Sequence, residues 1–138
     1  MTKFKILAEF IKDMSSETPD VQSYLFVKDH ISKYSLTIDI TSKPSKNKLI
    51  EVNTTLKFQD KEPNKKKSHF EIIYASIVKI DQEIKDKKEL EKIILCDVQN
   101  QIYPNIEKAF SNLLIDSGYK GVSFKKVDFN KLYNERFN

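Results

Sequence analysis

FKILAEFIKDMSSETPD, residues 4–20, is the stretch on which the fold turns. Successive side chains of an extended chain point to opposite faces, and the alternation here reads as a strand over residues 4–13. Phe4, Ile6, Ala8 and Phe10 share one side. Leu7 and Ile11 share the other with Lys5 and Glu9, and beyond Ile11 that second side continues as Asp13, Ser15 and Glu17. Apolar residues on both faces imply a sheet covered on both sides. The pattern alone reads the acidic end as a solvated strand end running into a turn at Pro19-Asp20.

Beyond this strand, TPDVQSYLFVKDH (18–30) reads as a loop, and YSLTIDITS (34–42) as a second strand in which Leu36, Ile38 and Ile40 alternate with Ser35, Thr37 and Asp39. LIEVNTTLKF (49–58) and HFEIIYASIVKI (69–80) are the two arms of a hairpin. From Asp86 the period changes. Leu90, Ile93, Ile94 and Val98 fall on one helical face, and Ile106, Ala109, Phe110, Leu113 and Leu114 repeat it after Pro104. Pro104 opens a new helix or kinks a continuous one. Gly118 ends it within the loop SGYKG (117–121), and Asp128 caps a last helix with Phe129, Leu132, Tyr133 and Phe137 on one side. Strands first and helices second predict a single α+β domain over 1–138. Its plan is a four-stranded antiparallel sheet followed by a long, Pro-interrupted helix and a short C-terminal helix.

Composition narrows the function. With 138 residues, 39% apolar and 32% charged, the chain has enough material for one core. No apolar run approaches the roughly 20 residues that span a bilayer, and no leader pattern opens the chain, so a cytosolic protein is expected. Cys96 is the only cysteine and reads as a small core residue; with only His30 and His69, no metal site is expected. The net charge of +4 invites a nucleic-acid reading, but Arg136 is the single arginine among 24 basic residues. Base readout favours the guanidinium fork. Lys65, Lys66 and Lys67 lie in DKEPNKKKSH (60–69), a hairpin tip whose ordinary reading is a solvated turn. Two glycines cannot build a phosphate loop, and no Ser or Cys sits in a nucleophile signature. Neither an enzyme nor a cofactor is expected. A binding protein fits better, its second sheet face covered by another copy of the chain or by a client polypeptide.

The order of motifs resembles the SecB family of bacterial protein-export chaperones, from Phe4 to Phe137. The first strand is similar to the family's opening strand at Lys12, Asp13, Ser15, Glu17 and Pro19. FVKDH resembles a family loop at Phe26, Lys28 and Asp29, and GYKGVSFKKVDFNKLY resembles the family's C-terminal ending at Gly118, Val127, Phe129, Leu132 and Tyr133. The resemblance implies a homotetramer, a dimer of dimers, that holds unfolded preproteins without nucleotide and delivers them to the SecA motor ATPase. It implies a docking patch for the motor at Asp13, Glu17 and Glu71. Leu25, Phe26, His30 and Tyr119 are the implied client-groove residues, and Ile106, Phe110 and Leu113 the helix core and oligomer interface. The chain departs from the family in its basic charge, in His30 where the family loop has tryptophan, and in Ile102-Tyr103-Pro104-Asn105-Ile106-Glu107, where the family's helix carries an arginine in place of Glu107. Two rival expectations stand beside this one: a SecB-like chaperone dedicated to a toxin–antitoxin pair, and a basic nucleic-acid-binding domain.

Overall fold

The computed structural model describes residues 3–60 and 67–137. Four antiparallel strands, β1 (Phe4–Glu17), β2 (Tyr34–Pro44), β3 (Leu49–Asp60) and β4 (His69–Ile80), form one sheet in the order β1-β4-β3-β2. The β3–β4 hairpin is therefore central, and β1 and β2 are the two edges. Helix α1 (Val21–His30) connects β1 to β2. After β4 come α2 (Lys87–Lys92), a π turn (Ile93–Asp97), α3 (Val98–Asp116) and α4 (Phe129–Phe137).

The fold class and the sheet agree with the sequence reading, and three local differences have physical causes. Residues 21–30 are a helix rather than a loop. Asp20 caps it, its Oδ1 accepting from the Ser23 N–H at 2.7 Å, and Ser23 and Val27 bury one turn apart. Its other apolar residues lie all round the axis, so no single-face period shows in the sequence. β1 runs to Glu17 rather than 13 because Ser15, Ser16 and Glu17 pair with Glu71, Phe70 and His69. Pairing, not composition, sets the end of a strand built from serines. Finally, Pro104 lies inside one uninterrupted α3, and the irregular turn falls upstream at Ile93–Asp97, where Ile93, Ile94 and Cys96 are buried.

β1 also carries two register shifts, between Ile6 and Ala8 and between Ile11 and Asp13. Each is a bulge that adds one residue and resets which side chains face the core. Phe4 and Ile6 pair with Ile80 and Val78 and pack on the core, but Ala8 and Phe10 pair with Ile77 and Ala75 and so lie on the opposite face. The simple alternation therefore put Phe4, Ile6, Ala8 and Phe10 together wrongly. It held among Asp13, Ser15 and Glu17, which share a face between bulge and strand end, but the second bulge parts them from Ile11, which pairs with Tyr74 on the core side.

The core lies between one sheet face and α3. Leu56, Phe70, Ile72 and Val78 from the sheet meet Ile102, Ile106, Phe110 and Leu114 from the helix, each no more than 1% exposed. Gln99 and Thr54, both fully buried, join helix to sheet through Gln99 Nε2 donating to Thr54 Oγ1 at 2.8 Å. α3 ends where Gly118 takes φ 97°, with Tyr119 N–H donating to the Leu114 carbonyl at 2.9 Å. A side chain at Gly118 would also collide with the Tyr24 ring, 2.6 Å from the position of a Cβ. Asp128 caps α4 by accepting from the Lys131 N–H at 3.1 Å, as the sequence reading has it. The Phe137 side chain lies outside the described residues, as do Lys65 and Lys66. Lys67 is no solvated turn residue: its Nζ lies 2.8 Å from Asp60 Oδ2, with both side chains under a tenth exposed.

Candidate functional site: an acidic sheet face and an apolar groove

The sheet face away from α3 carries the acidic residues. Register places Asp13 opposite Ile73, Ser15 opposite Glu71 and Glu17 opposite His69, so Glu71 sits between Asp13 and Glu17 on one face. Lys57 of β3 flanks Glu71 from the other side, and His69 Nε2 lies 3.6 Å from Glu17 Oε2. Ile73 and Ile77 lie on the same face, half-buried and outside the core cluster.

A charge ladder crosses this face beside the acidic group. Lys12, the extra residue of the second bulge, reaches past β4 so that its Nζ lies 2.9 Å from Glu51 Oε2 on β3; Lys43 of β2 approaches the same oxygen at 3.6 Å. The Asn53 amide donates to it at 2.7 Å. Hydrogen bonding to Lys12, then to Asn53, lowers the Glu51 carboxyl to about 2. A carboxyl depressed in the folded state stabilises it above the ordinary carboxylate range, and that stability is lost as pH falls toward the folded value. Glu51→Gln is thus expected to destabilise the chain by about 1–3 kcal/mol at pH 7, the deficit shrinking between pH 4.5 and 2. Denaturant titrations of both proteins across that range measure it; a deficit independent of pH contradicts the ladder.

The helix-side edge of β2 is a different surface. A groove of about 1160 Å³ runs between β2, the segment 120–128 and α4. Tyr34, Leu36, Ile38 and Phe58 form its floor, and Val122 and Phe124 one wall. Phe124 meets Phe58 edge-on at 5.4 Å and Phe110 at 5.8 Å, which anchors that wall to the core. An adjoining pocket of about 360 Å³ shares Ile38 and Leu132 and extends the apolar surface to Ile40, Leu95 and Tyr133. β2 pairs only with β3, leaving its outer backbone edge unpaired among the described residues.

The four residues expected at a client groove fall beside this one rather than in its lining. Leu25 and Phe26 lie on α1, 53% and 37% exposed, with the Phe26 ring stacked on His30 at 4.2 Å. Tyr119 is buried, meeting Phe70 edge-on at 5.5 Å, and it borders a smaller cavity of about 330 Å³ with Tyr24, Lys28 and Ile31. Ile31 belongs to both cavities, so the end of α1 adjoins the groove. Ile106 and Phe110 are fully buried and Leu113 packs on the same cluster, which makes all three part of the chain's own core. Leu36 and Ile38 of the floor are not among the residues expected at a client groove. Their alternation was visible, but not that β2 would be an edge.

Among the described residues no group of acidic, histidine and cysteine side chains is arranged to hold a metal ion. No helix among them is long and apolar enough to cross a membrane. An edge strand thus lies beside an apolar trough, with an acidic cluster on the opposite sheet face. The solved structure of the Mycobacterium tuberculosis SecB-like chaperone in complex with a ChAD peptide from the HigA1 antitoxin shares this fold, with a TM-score of 0.66 at 12% identity, covering 91% of this chain and 88% of that one. The family model described as Preprotein translocase subunit SecB matches residues 1–138. A Pelagibacter ubique chain carrying the name of the protein-export protein SecB is 62% identical over 136 residues, 98% of this chain and 97% of its own length. Protein-export protein SecB of Rickettsia bellii is 23% identical over 137 residues, 99% of this chain and 89% of its own length. The chain belongs to the SecB family of protein-export chaperones.

Proposed function

We propose that this chaperone holds non-native preproteins in the cytoplasm without nucleotide and hands them to the SecA motor. The observation that carries the reading is the groove along β2. Its floor is apolar, so burial there selects for exposed hydrophobic side chains without demanding a sequence, and the unpaired β2 edge offers hydrogen bonds to any extended backbone. No step needs a catalytic group.

Asp13, Glu17 and Glu71 are the motor's docking site in this reading. Their placement on one face, away from the groove, supports a division of labour in which client and motor bind at the same time. The same placement favours export over a chaperone dedicated to an antitoxin, which needs a groove but no acidic patch. The other edge supports self-association, as the homotetramer built as a dimer of dimers in this reading requires. Leu7, Phe10, Ile11 and Met14 are each 45–46% exposed along β1, an apolar edge that a second copy would cover.

Ile38→Asp, and separately Leu132→Asp, tests the groove. Leu132 is 46% exposed, so a charge there leaves the core untouched. Both variants are expected to lose at least about tenfold in affinity for an unfolded client, from the burial of one aliphatic side chain being replaced by a desolvated carboxylate. Circular dichroism is expected to remain that of the parent for Leu132→Asp. Full client binding by both folded variants sinks the groove as the holding site.

A further inference from the structure

The groove has a charged rim that its apolar floor does not explain. Lys120, Lys125, Lys126 and Lys131 line it, against only Asp128 and Glu135. All four lysines are exposed, and among the described residues none forms an ion pair with a carboxylate of the chain. Asp128 is moreover engaged in capping α4. The acidic cluster of Asp13, Glu17 and Glu71 lies on the opposite face of the sheet, and so does the Lys12–Glu51–Lys43 ladder. The two surfaces thus carry different charge: mixed and locally acidic on the open sheet face, net cationic around the trough.

We infer that the preferred occupant of the groove is an extended segment whose apolar residues are flanked by aspartate or glutamate. This rests on reading the groove as the client site. An apolar stretch fills the floor at Leu36, Ile38 and Phe58, and carboxylates two or three residues to either side reach the rim ammonium groups. A segment flanked by lysine places like charges at the same distance. The floor supplies affinity for any hydrophobic chain; the rim selects among hydrophobic chains, as charge at an interface edge does.

Three synthetic twelve-residue peptides test it, each with the same central Leu-Phe-Val-Leu and with flanks of Asp, Ser or Lys, titrated into the full chain by calorimetry. At 20 mM salt the Asp-flanked peptide is expected to bind about tenfold more tightly than the Lys-flanked one, with Ser between, a gap set by a few exposed charge pairs. At 300 mM salt the gap is expected to close to about twofold. Lys120→Gln/Lys125→Gln/Lys126→Gln removes the preference while Ser-flanked binding stays within twofold. A charge-matched control, Lys5→Gln/Lys57→Gln/Lys79→Gln on the open sheet face, keeps the preference. Equal or tighter binding of the Lys-flanked peptide overturns the inference alone, as does a preference that the rim variant retains or the control loses. Failure of all three peptides to bind overturns the groove as client site and this inference with it.

Discussion

Phe110→Asp is expected to leave the chain unfolded. Phe110 is fully buried, with Phe124 against its ring at 5.8 Å, and lies on the face of α3 that meets the sheet. Truncating a buried phenylalanine costs about 3–5 kcal/mol, and burying an unpaired carboxylate adds several more. Domains of this size have about 5–15 kcal/mol in total, so the substitution removes most or all of the stability. Loss of helical circular dichroism and recovery in inclusion bodies are the expected observations. Phe110→Leu, which keeps the site apolar, is expected to fold and to lose only about 1–2 kcal/mol. A folded Phe110→Asp chain that fails only to assemble would move Phe110 from the chain's own core to a subunit interface.

Asp13→Lys together with Glu17→Lys is expected to abolish binding to SecA while client holding stays within about twofold. Both residues are exposed on the open sheet face, so the exchange disturbs no packing. It does turn a cluster of three carboxylates, Asp13, Glu17 and Glu71, into one carboxylate between two ammonium groups. Reversing two charges at an electrostatic dock costs the attraction and adds repulsion, an effect of about 100-fold or more at low salt. Affinity of the parent chain for the motor is expected to fall with salt for the same reason. Surface plasmon resonance on immobilised SecA reads both. Equal loss of motor and client binding would make the acidic group structural, and unchanged motor binding would place the dock elsewhere.

The sheet, the long helix and the capped last helix were legible in the sequence because each rests on a local signal. Leu36, Ile38 and Ile40 alternate, Ile106, Phe110 and Leu113 repeat at helical spacing, and Asp128 precedes an amphipathic stretch. What was not legible depends on pairing between distant residues. The two bulges of β1 leave no local mark, yet they decide that Phe10 faces away from the core and that Lys12 reaches Glu51. α1 hid behind an unpatterned stretch whose start is set by one aspartate. The Asp13–Glu17–Glu71 grouping came from family resemblance, and strand register accounts for it physically. The groove required knowing which strand is at the edge, and that follows only from the order β1-β4-β3-β2. Strand order is a property of the whole chain.

In the proposed function the chain holds non-native polypeptide without nucleotide. The decisive measurement dilutes a denatured, slow-folding protein into buffer with the chain and no ATP and follows light scattering against chain concentration. Aggregation is expected to fall to a plateau near one tetramer per client. Undiminished scattering at several-fold excess of the chain would contradict the proposed function.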